Sequence, residues 1–151
     1  MNRDVNHSED AKDTARNGVA TVRAPRAVLA AIVDHARAVS PAECCGVLLG
    51  SDDQIAAAVR TENLSKDPSA FIVDPKGHIE ARREARGLGI AVVGFYHSHV
   101  RSSARPSPRD LAEASYLGHL YLIVSLATED GDMRLFRFDS DGFTEVALAS
   151  D

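Results

Sequence analysis

No run of apolar residues in this sequence is long enough to cross a bilayer, which takes about 20 in succession. Cysteine is nearly absent: two occur, Cys44 and Cys45, and they are adjacent. Neighbouring cysteines rarely close an unstrained disulfide, so a disulfide-stapled secreted fold is not expected and a reducing cytoplasm is. Positive charge is also in short supply. The formal net charge of -5 argues against a general nucleic-acid binder, which needs a basic face. Residues 1–18 hold almost no large apolar side chain and no apolar h-region. They predict a disordered tail rather than a secretory signal.

What remains is an ordinary globular composition, 44% hydrophobic and 26% charged over 151 residues, which predicts a single domain over 19–151. Val28, Leu29, Ile32, Val33 and Ala36 recur at helical spacing, and Pro25 suits the first turn. The helix ends near Val39, before Ser40-Pro41. The apolar run from Cys44 to Leu49 predicts a buried strand, with Gln54 to Thr61 as its hairpin partner. A polar loop over 62–69 leads to a brief strand at 71–73. Asp74-Pro75 reads as an N-cap followed by proline at the first helical position. That helix should stop at Gly87, in the left-handed conformation that helix ends favour. Strands follow at 90–99, 119–126, 133–138 and 143–148, with a helix at 110–117. Mixed strands and helices without strict alternation predict an α/β fold: a mixed sheet flanked by helices.

His97-Ser98-His99 closes one of those strands. Alternate side chains of a strand share a face, so both imidazoles point the same way from backbones roughly 7 Å apart, and Ser98 points to the other face. Ser107 then suits an N-cap, with Pro108 first in the helix and Asp110 third, where the helix dipole favours a carboxylate. Two imidazoles and one carboxylate make the three-ligand set that leaves a catalytic metal one open position for water. His-x-His alone is weak: with six histidines, about 0.2 such pairs arise by chance. Requiring Asp110 and Ser107 at their offsets lowers this to about 0.002. His7, His35, His78 and His119 have no ligand-spaced partner and read as structural or surface residues.

A metal-activated water needs a base that is near the metal and not bound to it. Glu43, immediately before the strand from Cys44, is a candidate, and a surface turn glutamate is the other reading of that position.

The stretch from Pro41 to Gly50, with Glu43, Cys45, Gly46 and Leu48, taken together with His97-Ser98-His99, Ser107 and Asp110, resembles the JAMM (MPN-plus) metalloprotease family. The resemblance covers about Val19 to Leu148 and is nearest the short, stand-alone prokaryotic members, which act on ubiquitin-like sulfur-carrier proteins. It implies a curved mixed sheet with a long helix on each side, similar to cytidine deaminases. It implies Zn2+ on His97, His99 and Asp110, Glu43 as the general acid/base, and Ser107 as the hydroxyl that stabilises the oxyanion. Val100 stands where the family usually has proline. A zinc deaminase would need Pro-Cys-x-x-Cys, which is absent.

The implied activity is hydrolysis of a peptide or isopeptide bond after the C-terminal Gly-Gly of a ubiquitin-like carrier, releasing an amino acid such as cysteine. A non-catalytic zinc-bound scaffold and a peptidoglycan-peptide hydrolase are the alternatives. Cys44 and Cys45 read as small buried hydrophobes rather than nucleophiles. Arg101, Arg105 and Arg109 flank the site in sequence, either as a solvated loop or with one of them holding a product carboxylate.

Overall fold

The computed structural model describes residues 21–151, so the expected tail at 1–18 lies outside the described residues. Seven strands and three helices follow in the order β1 (Thr21–Ala24), α1 (Arg26–Val39), β2 (Cys45–Ser51), β3 (Gln54–Thr61), α2 (Pro75–Gly87), β4 (Ala91–His99), α3 (Pro108–Glu113), β5 (Leu120–Ser125), β6 (Asp132–Asp139) and β7 (Gly142–Ser150). None of these helices is long and apolar enough to cross a membrane.

The strands form one mixed sheet in the order β1-β3-β2-β4-β5-β6-β7, closed into a barrel where β1 pairs in parallel with β7. β4 and β5 are also parallel, and β2 pairs antiparallel with both β3 and β4. Strand alternation sorts the apolar side chains onto two faces. Leu48, Tyr96, Leu122 and Val124 pack with Ile32 and Ala36 of α1. Val47, Leu49, Phe95 and Tyr121 pack with Ala81 and Ala85 of α2. The period of two therefore puts His97 and His99 on the α2 face with Phe95, and Ser98 on the α1 face with Tyr96. There the Ser98 hydroxyl accepts the Cys44 N–H at 2.8 Å, tying the start of β2 to the end of β4. Gly46 faces Tyr96 so closely that a Cβ would stand 2.2 Å from its ring.

Most sequence-derived elements are present within a residue or two, and four expectations need correction. Pro25 is the N-cap of α1 rather than its first helical residue. α2 runs through Gly87, and the left-handed residue is Gly89, at φ +73°. The expected helix at 110–117 ends after Glu113: Ala114 turns extended, and Tyr116 leaves the helix to pack on Phe95 with ring centroids 5.1 Å apart. The expected strand at 71–73 is reduced to an isolated bridge between Asn63 and Val73. β1 has only four residues, too few for a pattern to stand out, and its place follows from burial of Val22 and Ala24 against the neighbouring strands.

Candidate active site

β4 ends with His97 and His99 side by side on one face, and α3 begins directly opposite. Ser107 caps that helix: its Oγ accepts the Asp110 N–H at 3.0 Å, and the Asp110 carboxylate accepts the Ser107 N–H at 2.9 Å. This reciprocal cap fixes Asp110 with Oδ2 aimed at the histidines. Oδ2 lies 3.2 Å from His97 Nε2 and 3.0 Å from His99 Nε2, and the two Nε2 atoms are 3.2 Å apart. Among the described residues these three form the one group of His, Cys, Asp and Glu whose donor atoms converge closely enough to share an ion.

The donor set fits a tetrahedral cation. Ligand bonds of about 2.0–2.1 Å imply edges of about 3.3 Å, close to the three separations above. The hydrogen bonding gives a second reason. His99 Nδ1 lies 2.7 Å from the Ser103 carbonyl, which can only accept, so Nδ1 carries a hydrogen. In neutral His99 the Nε2 lone pair then faces an acceptor-only carboxylate oxygen, an arrangement that a cation between them makes favourable. Burial alone lowers the His99 pKa, but the bonds to Asp110 and Ser103 outweigh it and the net shift is upward. His97 is fully enclosed, and burial holds it below its ordinary value. Its ring stacks on Phe71 at 4.3 Å between centroids. Burial pulls Asp110 upward, yet the two imidazoles and the Ser107 amide hold its carboxyl well below the usual range.

The loop between the histidines and α3 is anchored without a proline at Val100. Ser103 O takes the His99 bond, and the Ser125 hydroxyl donates to Ser102 O at 2.5 Å. Ala104 is wholly buried within this loop.

Glu43 joins the cluster from the far side of the sequence. It lines the same cavity, of about 690 Å³, as His99, Ser107 and Asp110. It is 8% exposed, not the surface turn residue its position alone allows, and its carboxylate takes no hydrogen bond from the described residues. Burial pushes its pKa up to about 7, with His99 pulling downward and Asp110 upward. Cys44 and Cys45 are buried and unpaired, and burial raises both thiols, Cys44 to about 11, so neither is primed as a nucleophile.

Sequence reasoning misses Asn63. Its Nδ2 donates to Glu43 O and to Ala70 O, both at 2.9 Å, and its Oδ1 accepts from Ser65 N and Ile72 N, both at 2.9 Å. With Glu43 N–H donating to Pro68 O at 3.2 Å, the backbone of Glu43 is held on both sides by the loop over 62–73. The one trace in the sequence is the turn-forming Asn63-x-Ser65 spacing, which marks the turn and not its contact with Glu43.

Residues 25–139 match the family described as Prok-JAB, prokaryotic homologs of the JAB domain. The chain is 37% identical over 125 residues to a desampylase of Haloferax volcanii, covering 78% of this chain and 88% of that protein. It is 31% identical over 136 residues to the CysO-cysteine peptidase of Mycobacterium bovis, covering 86% and 92%. The crystal structure of AF2198, a JAB1/MPN domain protein from Archaeoglobus fulgidus, superposes with a TM-score of 0.58 at 23% identity, covering 87% of this chain and 97% of that one. At that identity the likeness establishes the fold, and the family match and the two relatives carry the rest. The chain belongs to the family of prokaryotic JAB-domain homologs.

Proposed function

We propose that this chain is a zinc peptidase that cuts the bond joining the C-terminal Gly-Gly of a small ubiquitin-like sulfur-carrier protein to an amine. The observation that carries this reading is the convergence of His97, His99 and Asp110 within 3.0–3.2 Å of one another, with His99 and Asp110 lining a cavity that also holds Glu43 and Ser107. The relatives named desampylase and CysO-cysteine peptidase support the substrate class.

His97, His99 and Asp110 are the residues that would hold the ion. Zinc held there would supply Lewis acidity and lower the pKa of a water toward neutrality. Glu43 is the group that would hold a proton taken from the attacking water and pass it to the nitrogen of the leaving amine. Burial raises the Glu43 pKa in the metal-free cavity, and the charge of a bound ion would pull it back down toward the carboxylate form that accepts a proton. Ser107 Oγ accepts the Asp110 N–H, which leaves its own hydrogen free to donate to the carbonyl oxygen as negative charge grows there. No covalent enzyme intermediate is required, in keeping with the inert cysteines. The slim Gly-Gly tail can approach the buried cluster in extended form, beside the irregular edge at 71–73.

The test is incubation of the zinc-loaded protein with a panel of Gly-Gly-ended ubiquitin-like carriers, each joined through that end to an amine, followed by intact mass measurement. Release of the free carrier, abolished by a chelator and restored by zinc, is the expected result. A zinc-loaded protein that leaves every conjugate intact would make the chain a binding module instead.

A further inference from the structure

Two cavities meet at the cluster of His97, His99 and Asp110. The smaller, about 420 Å³, is walled by apolar and aromatic side chains including Ile72, Phe95 and Tyr121, and by His97. The larger, about 690 Å³, holds Glu43, Ser107, Arg101 and Arg109. Phe71, Asp110 and Glu113 line both and form the partition.

The chemistry tells the two apart. The nitrogen that receives a proton from Glu43 must lie within hydrogen-bond reach of its carboxylate. Glu43 lines the larger cavity and not the smaller, so the leaving group occupies the larger one. This step rests on the role proposed for Glu43.

Charge in the larger cavity is mostly committed. Arg109 Nη1 lies 3.0 Å from Asp67 Oδ2, and its Nε lies 3.2 Å from Glu113 Oε1. Arg105 lies outside this cavity and stands 3.8 Å from Glu145. Arg101 lines the cavity and forms no ion pair or side-chain hydrogen bond among the described residues. It is presented by the anchored loop whose next two carbonyls are held by Ser125 and His99. A guanidinium fork matches a carboxylate with two parallel N–H donors.

We propose that Arg101 binds the free α-carboxylate of the leaving residue, so that the chain favours carriers ending in one added amino acid, joined through its α-amine, over carriers joined to a lysine side chain. In an α-linked terminal residue the carboxylate lies two bonds from the scissile nitrogen. In a lysine isopeptide conjugate the ε-nitrogen is separated from the backbone by the whole side chain, and the neighbouring carbonyl is an uncharged amide.

The experiment uses one carrier prepared in three forms: extended by alanine as the free acid, extended by alanine amide, and joined to the ε-amine of a lysine peptide. The zinc-loaded protein should show kcat/KM about tenfold higher for the free acid than for the amide, the scale of one charge-assisted hydrogen bond. Arg101→Gln should bring the free acid down to the amide's value and leave the amide unchanged, with metal content unaltered. Equal rates on acid and amide in the unsubstituted protein, or an equal loss on both in Arg101→Gln, would overturn the assignment while leaving the peptidase reading intact. Failure of the unsubstituted protein on all three forms would overturn both.

Discussion

Glu43 performs its proposed task with a side chain that makes no structural bond. Its two hydrogen bonds run through the backbone, N–H to Pro68 and carbonyl from Asn63, and the carboxylate is left to the cavity. Exchange of that carboxylate for an amide of the same size should therefore disturb the fold and the metal cluster little. Glu43→Gln is expected to retain its zinc by elemental analysis and to lose about 10²–10⁴-fold in kcat, the usual contribution of a positioned proton carrier. Retained turnover in that variant would remove Glu43 from the mechanism. His97 and His99 differ from Glu43 in this respect, because they are the proposed ligands and their rings are built into the packing through Phe71 and Ser103.

Elements place these residues, and they do so with unequal legibility. The triad is readable in the sequence because each half obeys a short period: His97 and His99 a strand period of two, Ser107 and Asp110 the reciprocal cap of a helix start. Glu43 is harder to read, since its nearness to His99 depends on the register that sets Cys45 opposite His97 in the β2–β4 pair. The contact of Asn63 with Glu43 is not readable beyond the turn that Asn63-x-Ser65 marks. Asn63 lies in an irregular loop where no period operates, and its four hydrogen bonds join backbone atoms at positions 43, 65, 70 and 72. The same limit explains the shortened α3, whose end is decided by Tyr116 meeting Phe95 and not by local propensity. Asn63→Ala should remove this brace, costing about 2 kcal/mol of stability from the loss of several part-buried hydrogen bonds. Its kcat should fall more than its zinc content, because the loop braces the backbone of Glu43 directly and meets the proposed ligands only through the Phe71 stack on His97. A variant with wild-type kcat would show that β2 alone keeps Glu43 in place.

At the scale of the whole molecule, closure of the barrel encloses a histidine that the proposed chemistry does not use. His35 of α1 is 6% exposed on the face opposite the metal cluster, with Nδ1 2.7 Å from the Tyr96 hydroxyl. Burial lowers its pKa, and the nearby Arg60 lowers it further. His78 and His119, at the other face, are lowered by burial as well. A histidine whose pKa is lower folded than unfolded takes up its proton first in the unfolded chain. The stability it contributes is therefore complete above the unfolded value of about 6.5 and is lost as pH falls from there toward the folded value. While His35 is neutral folded and charged unfolded, its share of the loss approaches about 1.4 kcal/mol per pH unit. Thermal or urea unfolding of the zinc-loaded protein should accordingly show stability declining from pH 7 to pH 5. His35→Gln keeps a partner for Tyr96 but cannot titrate, so its decline over the same range should be shallower by up to that amount. The comparison cancels the contributions of His78, His119 and the metal cluster, which both proteins share. Parallel pH profiles for the two would mean that His35 keeps its ordinary affinity for a proton inside the fold.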